Sequence, residues 1–598
     1  MSAPARNPMS VPGVPSLYEE LLTGRIDWTL IASVLRRPAG DEEPARQAAE
    51  RLSRLLDGYG DPEEIDGSAE LPAGLLDKLR ADGLLHLAVA AEYGGLGLDA
   101  RGVLRVIETA ARWSPALGMT LAFHNGLGAP QYLPLLADGP LREFLADQLS
   151  RGALTGAADA EPAGAANWGR AATAVPTDDG TAYLLSGTKL YTGNGDLADL
   201  LTVTATVQED GVGRTRLFFV DTRTPGLRHG ARHTLMGLKG VTLTTLTLDG
   251  VRVPAERVLA EEDPERWRAG RQLFPLAQGR LHVTAAPALA LTRQALEYVR
   301  EFVRRRTVDG RPLGEHDEIR RTLATALADL HAMESVVAYG TLVDPGDPSA
   351  NAIYEQFAAK SIASVLAWRT MDAAMTVVAG EGYETAASKA GRGTTPSPLE
   401  RLYRDARGLR IAGGAESLMR SRLAGFALTY FVPAPAPADG PAPDGPVPDG
   451  SAPDGHDPSG TAPDPAAGPP PAVERYLSPR NRDHAHDAAR QAHRLHTALG
   501  RVAARHPDLT SAFAHERLLA TLGTVIEELL TVSLTLGRTA HQSETGSGDT
   551  QDLADIHCAA ARHRLAGLWG EIDALLDGPG PRHDAVSESW LRAGEDRS

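Results

Sequence analysis

The sequence predicts a mainly α protein with a central β domain and an extra helical module behind a linker. Three observations carry this. Helical periodicity gives way to strand alternation after residue 152, it returns after residue 265, and a tract of proline, aspartate and glycine interrupts the chain near residue 450. The 598 residues suffice for about four domain-sized units.

Residues 1–152 read as a helical domain, since LYEELLTG, ARQAAERLSRLLDGYG, GLLDKLRADGLL, VLRVIETAARW and LREFLADQLSRG space their apolar residues for one helix face between Gly, Pro and Asp breaks. Residues 153–265 read as a middle β domain, because AYLLSGTKLYTG, LLTVTATV, TRLFFVDT and TLTTLTLDGVRV are rich in Thr, Val and Leu and are separated by DDG, EDGVG and TPG turns. Residues 266–431 return to long helical runs such as NAIYEQFAAKSIASVLAWRTMDAAMTVVAG. Residues 432–472 hold almost no apolar side chain to offset ordering entropy and read as an extended spacer. Residues 473–598 form the extra helical module. Its stripe of Leu518, Leu519, Leu522, Val525, Ile526, Leu529 and Leu530 is expected to pack within the module or on the core rather than against lipid.

Sixty Lys+Arg against 77 Asp+Glu leave a net charge of −17, which argues against nucleic acid and anionic lipid as partners. Cys558 stands alone, so an intrachain disulfide and a cysteine metal cluster are excluded and a reducing, cytoplasmic compartment is expected. The N-terminus lacks the basic-then-apolar order of a leader, and no run of about 18 apolar residues predicts a transmembrane segment. Lysine occurs only at 78, 189, 239, 360 and 389, which reads as the coding bias of a GC-rich genome, without mechanistic content. No metal site is expected: His484, His486, His493 and His496 read as a solvated helix face. His124, in AFHNG, reads as a packed histidine, with a base near neutral pH as the alternative.

Several strings are informative in combination: EYGGLGLD at 92–99, AEPAGAAN at 160–167, SGTKLYTGNGDLADL at 186–200, DGVRVPAERVL at 249–259, RTVDGRPLG at 306–314, AGEGY at 379–383 and ERLYRDAR at 400–407. In order and spacing they resemble the acyl-CoA dehydrogenase family. The resemblance implies an N-terminal helical domain, a middle β-barrel or sandwich and a C-terminal four-helix bundle, with FAD between the last two. It also implies homodimers or homotetramers in which a neighbour completes the cofactor site. The extra module is similar in position and helicity to the C-terminal region of very-long-chain acyl-CoA dehydrogenases.

The family reaction removes the α-proton of an acyl thioester while the β-hydrogen leaves as hydride, so it needs a base beside Cα and donors to the thioester carbonyl. The family's glutamate falls at Gly413 in the string from Arg404 to Glu416. Its alternative position, at the start of the first C-terminal helix, falls in Gln278-Gly279-Arg280-Leu281, again without a carboxylate. Glu416, one helical turn beyond Gly413, is the candidate displaced base; the competing reading is an ordinary helix-start carboxylate. Gly413 keeps the N–H that the resemblance assigns to the thioester carbonyl.

Carried over residue by residue, the resemblance puts Ala160 where a threonine contacts flavin, Ala166 where a serine meets CoA, Tyr191 where an aromatic covers the ring and Gly193 where a threonine nears N5. Leu281 stands where an arginine is usual, and Thr376 where a glutamine binds cofactor. Arg306, followed by Gly310, is expected with Gly380 and Gly382 at the FAD, and Tyr191 and Asn194 beside the flavin. The leading expectation is α,β-desaturation of an acyl thioester on CoA or an acyl-carrier protein, in lipid or secondary metabolism. The acidic net charge favours CoA over an acidic carrier. The rivals are a flavin-dependent monooxygenase or oxidase and a catalytically degenerate scaffold. The sequence names no electron acceptor.

Overall fold

The computed structural model describes residues 13–37, 42–164, 167, 169–209, 211–259, 274–344, 347, 349–432, 468–506, 508–578 and 582–595. Ala166 and most of the proline-rich tract, 433–467, lie outside them. The order is helical, β, helical, helical, as the fold class read from periodicity requires.

The middle sheet has seven strands in the order β1-β4-β2-β3-β7-β6, with β5 on the far side of β4. Here β1 is Thr155–Ala158, β2 Thr173–Pro176, β3 Ala182–Gly193, β4 Leu200–Glu209, β5 Val212–Asp221, β6 Leu227–Arg232 and β7 Leu243–Pro254. β1 and β2 lie parallel to β4, and the long β3–β7 and β4–β5 pairs are antiparallel. Leu185, Leu201, Val203, Phe218, Leu246 and Val251 fill its own core. The β3–β7 register shifts between Lys189 and Thr192. At that irregularity Tyr191 takes φ 52° and turns outward, 56% exposed.

A second apolar core runs without a break through the N-terminal helices, the Ala286–Arg305, Asp317–Thr341 and Ile353–Val378 helices, and the Glu516–Thr545 and Gln551–Asp577 helices of the extra module. All seven stripe residues from Leu518 to Leu530 are buried in it. The Glu516–Thr545 helix is long and apolar enough by composition to cross a membrane, but 83% of its apolar window is buried inside the protein. Close approach explains its glycines: a Cβ at Gly523 would sit 2.1 Å from the Arg420 carbonyl oxygen, and one at Gly537 2.3 Å from Ile31.

The module docks through polar groups too. His484 is 7% exposed and meets Asp555 at 2.9 Å, and His486 faces Glu474 at 3.6 Å. His496 bonds the Leu22 carbonyl at 2.7 Å. The solvated-face reading is therefore corrected for His484, His486 and His496, to which helix packing brings carboxylates and a carbonyl, while His493 is exposed.

The R-D string is a staple between domains. Arg404 forms a two-pronged pair with Asp66 and reaches Glu400 and the Met236 carbonyl, while buried Asp405 accepts the Leu238 N–H at 2.5 Å. A Cβ on Gly237 would strike Arg404 at 2.4 Å, so the middle-domain loop lies directly on this helix.

Candidate active site

The helix Phe274–Arg280 passes through a π-turn, Leu281–Ala285, into the helix Ala286–Arg305. Pro287 supplies the cause, because it has no N–H to give residue 283 and its ring crowds that turn. A second π-turn, Phe123–Leu127, faces the first from the N-terminal domain. The two meet glycine to glycine. A Cβ on Gly279 would lie 1.9 Å from the Gly126 carbonyl oxygen, and one on Gly126 3.1 Å from His282 Cβ. Gly279→Ala is accordingly expected to cost about 3 kcal/mol through overpacking, read as a lowered urea midpoint; an unchanged midpoint would refute the close crossing.

The crossing sets Arg280 and Thr284 beside the loop that joins helix Leu399–Leu409 to helix Glu416–Leu428. Gly413 and Gly414 take φ 71° and 108° there, a left-handed stretch that favours glycine. Arg280 Nε donates to the Gly413 carbonyl at 3.1 Å and Nη1 to the Leu276 carbonyl at 3.2 Å. From the Ile353–Val378 helix, fully buried Lys360 donates to the carbonyls of Gly414 and, at 3.4 Å, Arg410. Two cations thus clasp three carbonyls of one loop. The Gly413 N–H makes no hydrogen bond among the described residues, at the foot of a helix whose N-cap, Ala415, offers no side-chain acceptor.

Burial, with Arg280 close by, brings Lys360 down to about 7. Burial likewise brings Arg280 down to about 10. Glu416 opens its helix with both carboxylate oxygens on Arg410, and Arg420 stands 3.9 Å away. Burial works to raise its pKa, but the Arg410 hydrogen bonds and the charges of Arg420 and Lys360 outweigh it and hold the group below the usual carboxylate range.

Three family models match in chain order: the acyl-CoA dehydrogenase N-terminal domain over residues 43–140, the middle domain over 156–251 and the C-terminal domain over 271–428. The chain belongs to the acyl-CoA dehydrogenase family. A probable acyl-CoA dehydrogenase, FadE10 of Mycobacterium tuberculosis, is 32% identical over 415 residues, 69% of this chain; the chain spans 63% of that relative's length. The crystal structure of acyl-CoA dehydrogenase complexed with FAD from Bacillus anthracis, 19% identical, matches with TM-score 0.67 over 96% of this chain and 93% of its own. That match takes in the extra module and speaks to fold. FkbI, described as acting in biosynthesis of the methoxymalonyl extender unit of a polyketide immunosuppressant, is 28% identical with TM-score 0.52, covering 62% of this chain and 98% of its own.

Acyl-CoA dehydrogenases carry FAD, and the expected cofactor residues fall into two places. Gly193 lies under Phe123, whose ring a Cβ would meet at 2.8 Å. The Ala160 carbonyl accepts the Leu190 N–H at 2.8 Å, and Tyr191 leans on His233 with ring centroids 4.8 Å apart. Arg306 is exposed and makes no ion pair among the described residues, beside the Asp309-Gly310 hairpin turn. Neighbouring Arg305 pairs with Glu381 between Gly380 and Gly382, which brings Arg306 and the glycine turn to one corner. An unpaired cation and an open turn, with nothing within 4 Å of a Cβ at Gly380, fit a phosphate group. That corner lies beyond Val378, about 27 Å of helix rise from Lys360. The residues at that corner fit the phosphates of FAD.

Two expectations are corrected. The Asn194 side chain is fully buried, with its amide on the carbonyls of Thr120 and Thr155 at 3.0 and 3.1 Å, so it ties the sheet to the N-terminal helices instead of facing a cleft. Leu281 is buried in the core, and the arginine sought there is Arg280, one residue earlier. Thr376 turns its hydroxyl back to the Asp372 carbonyl at 2.9 Å. His124 is packed: it accepts the Thr155 N–H on Nδ1 at 3.0 Å, stacks on His86 and is held neutral by burial. Sequence reasoning missed Lys360. Its signal was the scarcity of lysine: of five, Lys189, Lys360 and Lys389 are fully buried, where a compact ammonium fits and a guanidinium fork does not.

Proposed function

We propose that this protein is an FAD-dependent oxidoreductase that binds an acyl thioester at the Gly413 loop and desaturates it between Cα and Cβ, the α-proton leaving to water at the exposed Gly413 face, in the cytoplasm and as a homodimer or homotetramer. One observation carries the reading. Arg280 and Lys360 fix the carbonyls of the loop, while the Gly413 N–H stays uncommitted at a helix N-terminus, where developing enolate charge is stabilised. FAD supplies the hydride acceptor when bound. Arg306, Gly380 and Gly382 hold its phosphates from one copy, and Tyr191 flanks its ring in the other. The thioester is CoA-linked, in keeping with the acidic net charge. The relative named for an extender unit supports a place in secondary metabolism.

As placed, Glu416 is bound to Arg410 and is a poor base, so Glu416→Gln is expected to leave the rate of flavin reduction by thioester within about twofold. A drop of a hundredfold would return it to the mechanism. The second reading, oxygenation or oxidation by reduced flavin, is favoured by the absence of a carboxylate both at Gly413 and throughout Gln278-Gly279-Arg280-Leu281. Anaerobic mixing of the purified holoenzyme with a series of acyl-CoA esters decides between them. Bleaching of the flavin supports desaturation. No bleaching, with oxygen-dependent product from reduced enzyme, supports the second reading, and a protein that takes up no FAD supports a scaffold.

A further inference from the structure

The place of the missing glutamate is not a neutral gap. A Cβ at Gly413 would have Thr284 Oγ1 at 3.7 Å, Lys360 Cε at 3.8 Å and Arg280 Cγ at 3.9 Å, with no closer atom. Thr284 is fully buried, and its hydroxyl has no hydrogen-bond partner among the described residues. Lys360 spends two of its three N–H groups on carbonyls, and Arg280 two of five. Neither forms an ion pair among the described residues, whereas buried Lys189 pairs with Glu161, buried Arg401 with Glu63 and half-buried Arg420 with Glu527. The nearby carboxylates are taken, Glu416 by Arg410, Glu527 by Arg420 and Asp159, whose charge acts on Arg280, by Arg170. Gly413 and Ile411 are exposed, so the spot opens outward. Two cations, an orphan hydroxyl and the free Gly413 N–H therefore surround a space without an anion.

We infer that the space at Gly413 is a carboxylate subsite, and that the acyl group this protein takes carries a free carboxylate on its β-carbon, as a succinyl group does. The inference deepens the thioester reading above and rests on it for the substrate. The carboxylate accepts from Thr284 Oγ1, from the remaining Lys360 N–H and from the guanidinium of Arg280, and it occupies the place a glutamate side chain takes in a chain that has one. Charge balance follows. The groups facing Lys360 are Arg280, Arg410, Glu416 and Glu527; against its burial Glu416 is held low by Arg410, burial raises Glu527 against its pairing with Arg420, and the amine itself comes down to about 7. Since burial brings that amine down to about 7, an arriving carboxylate draws a proton onto it, and binding weakens as the pH rises above 7.

The test compares two four-carbon thioesters, succinyl-CoA and butyryl-CoA, by calorimetric titration of the holoenzyme, with free acetate as a third ligand. Succinyl-CoA is expected to bind at least tenfold tighter than butyryl-CoA at pH 6.5. The ratio should shrink by pH 8.5 and vanish in Gly413→Glu, whose own carboxylate fills the space, and in the near-isosteric Thr284→Val. Equal binding of the two thioesters by the unaltered protein, or a preference that survives both substitutions, overturns the subsite and leaves the thioester reading standing. Acetate binding that Gly413→Glu abolishes, with neither thioester bound, upholds the carboxylate subsite and overturns the thioester reading instead.

Discussion

Gly413→Glu is expected to raise the rate of anaerobic flavin reduction by a neutral thioester such as butyryl-CoA by roughly 10²- to 10⁴-fold, the usual worth of a positioned general base. The side chain has room, since the nearest atoms to its Cβ are 3.7–3.9 Å away. Its backbone cost is the left-handed φ of 71°, about 1–2 kcal/mol for a residue with a Cβ. Lys360 and Arg280 lower its pKa, which keeps it ionised down to mildly acid pH but also weakens it as a base, so the gain is expected toward the lower end of that range. Stopped-flow flavin absorbance is the measurement, and an unchanged rate in a folded, FAD-loaded variant would sink the reading that only the base is missing. The alternative base position gives no such rescue. At Gly279 the first side-chain carbon already collides with the Gly126 carbonyl, so a glutamate there has to part the two π-turns.

The second large effect is expected far from the loop. Asp329 is 2% exposed, receives both prongs of Arg369, and meets His557 Nδ1 of the extra module at 3.1 Å. Burial works to raise its pKa, but His557 and Arg369 outweigh that and keep it ionised. Asp329→Ala removes the one carboxylate and leaves the Arg369 guanidinium and a fully buried imidazole without their acceptor, at a cost of about 3–5 kcal/mol. Urea unfolding reports the loss. Hydrogen exchange should place it in the helix Gln551–Asp577, because that helix carries His557. A loss below about 1 kcal/mol would show that the apolar seam alone holds the module.

Both effects separate what periodicity carries from what it does not. The strand strings became β3, β4, β5 and β7, and the stripe from Leu518 to Leu530 became core, because alternation and helical spacing record which face is buried, wherever the burying surface comes from. The identity of that surface was not legible. His484 read as solvated until Asp555, 71 residues later, was packed against it. Asn194 read as a cofactor neighbour because its string is a motif, yet its amide N–H groups go to two carbonyls of other elements, and only its buried Oδ1 is left without a partner among the described residues.

Sequence by itself determined the order of helical and β segments, the family and the glycine at position 413, since each is a statement about residue type at a position along one chain. Tertiary structure alone decided which side chains surround that glycine. Lys360 lies 53 positions before Gly413 and Arg280 133 before it, and neither spacing predicts that both grip one loop. It also decided that Gly279 admits no side chain and that Glu416 belongs to Arg410. Each of these depends on distances set by helices crossing. The physical reason is that hydrogen bonds, desolvation and excluded volume act over a few ångströms of space, which chain separation does not encode.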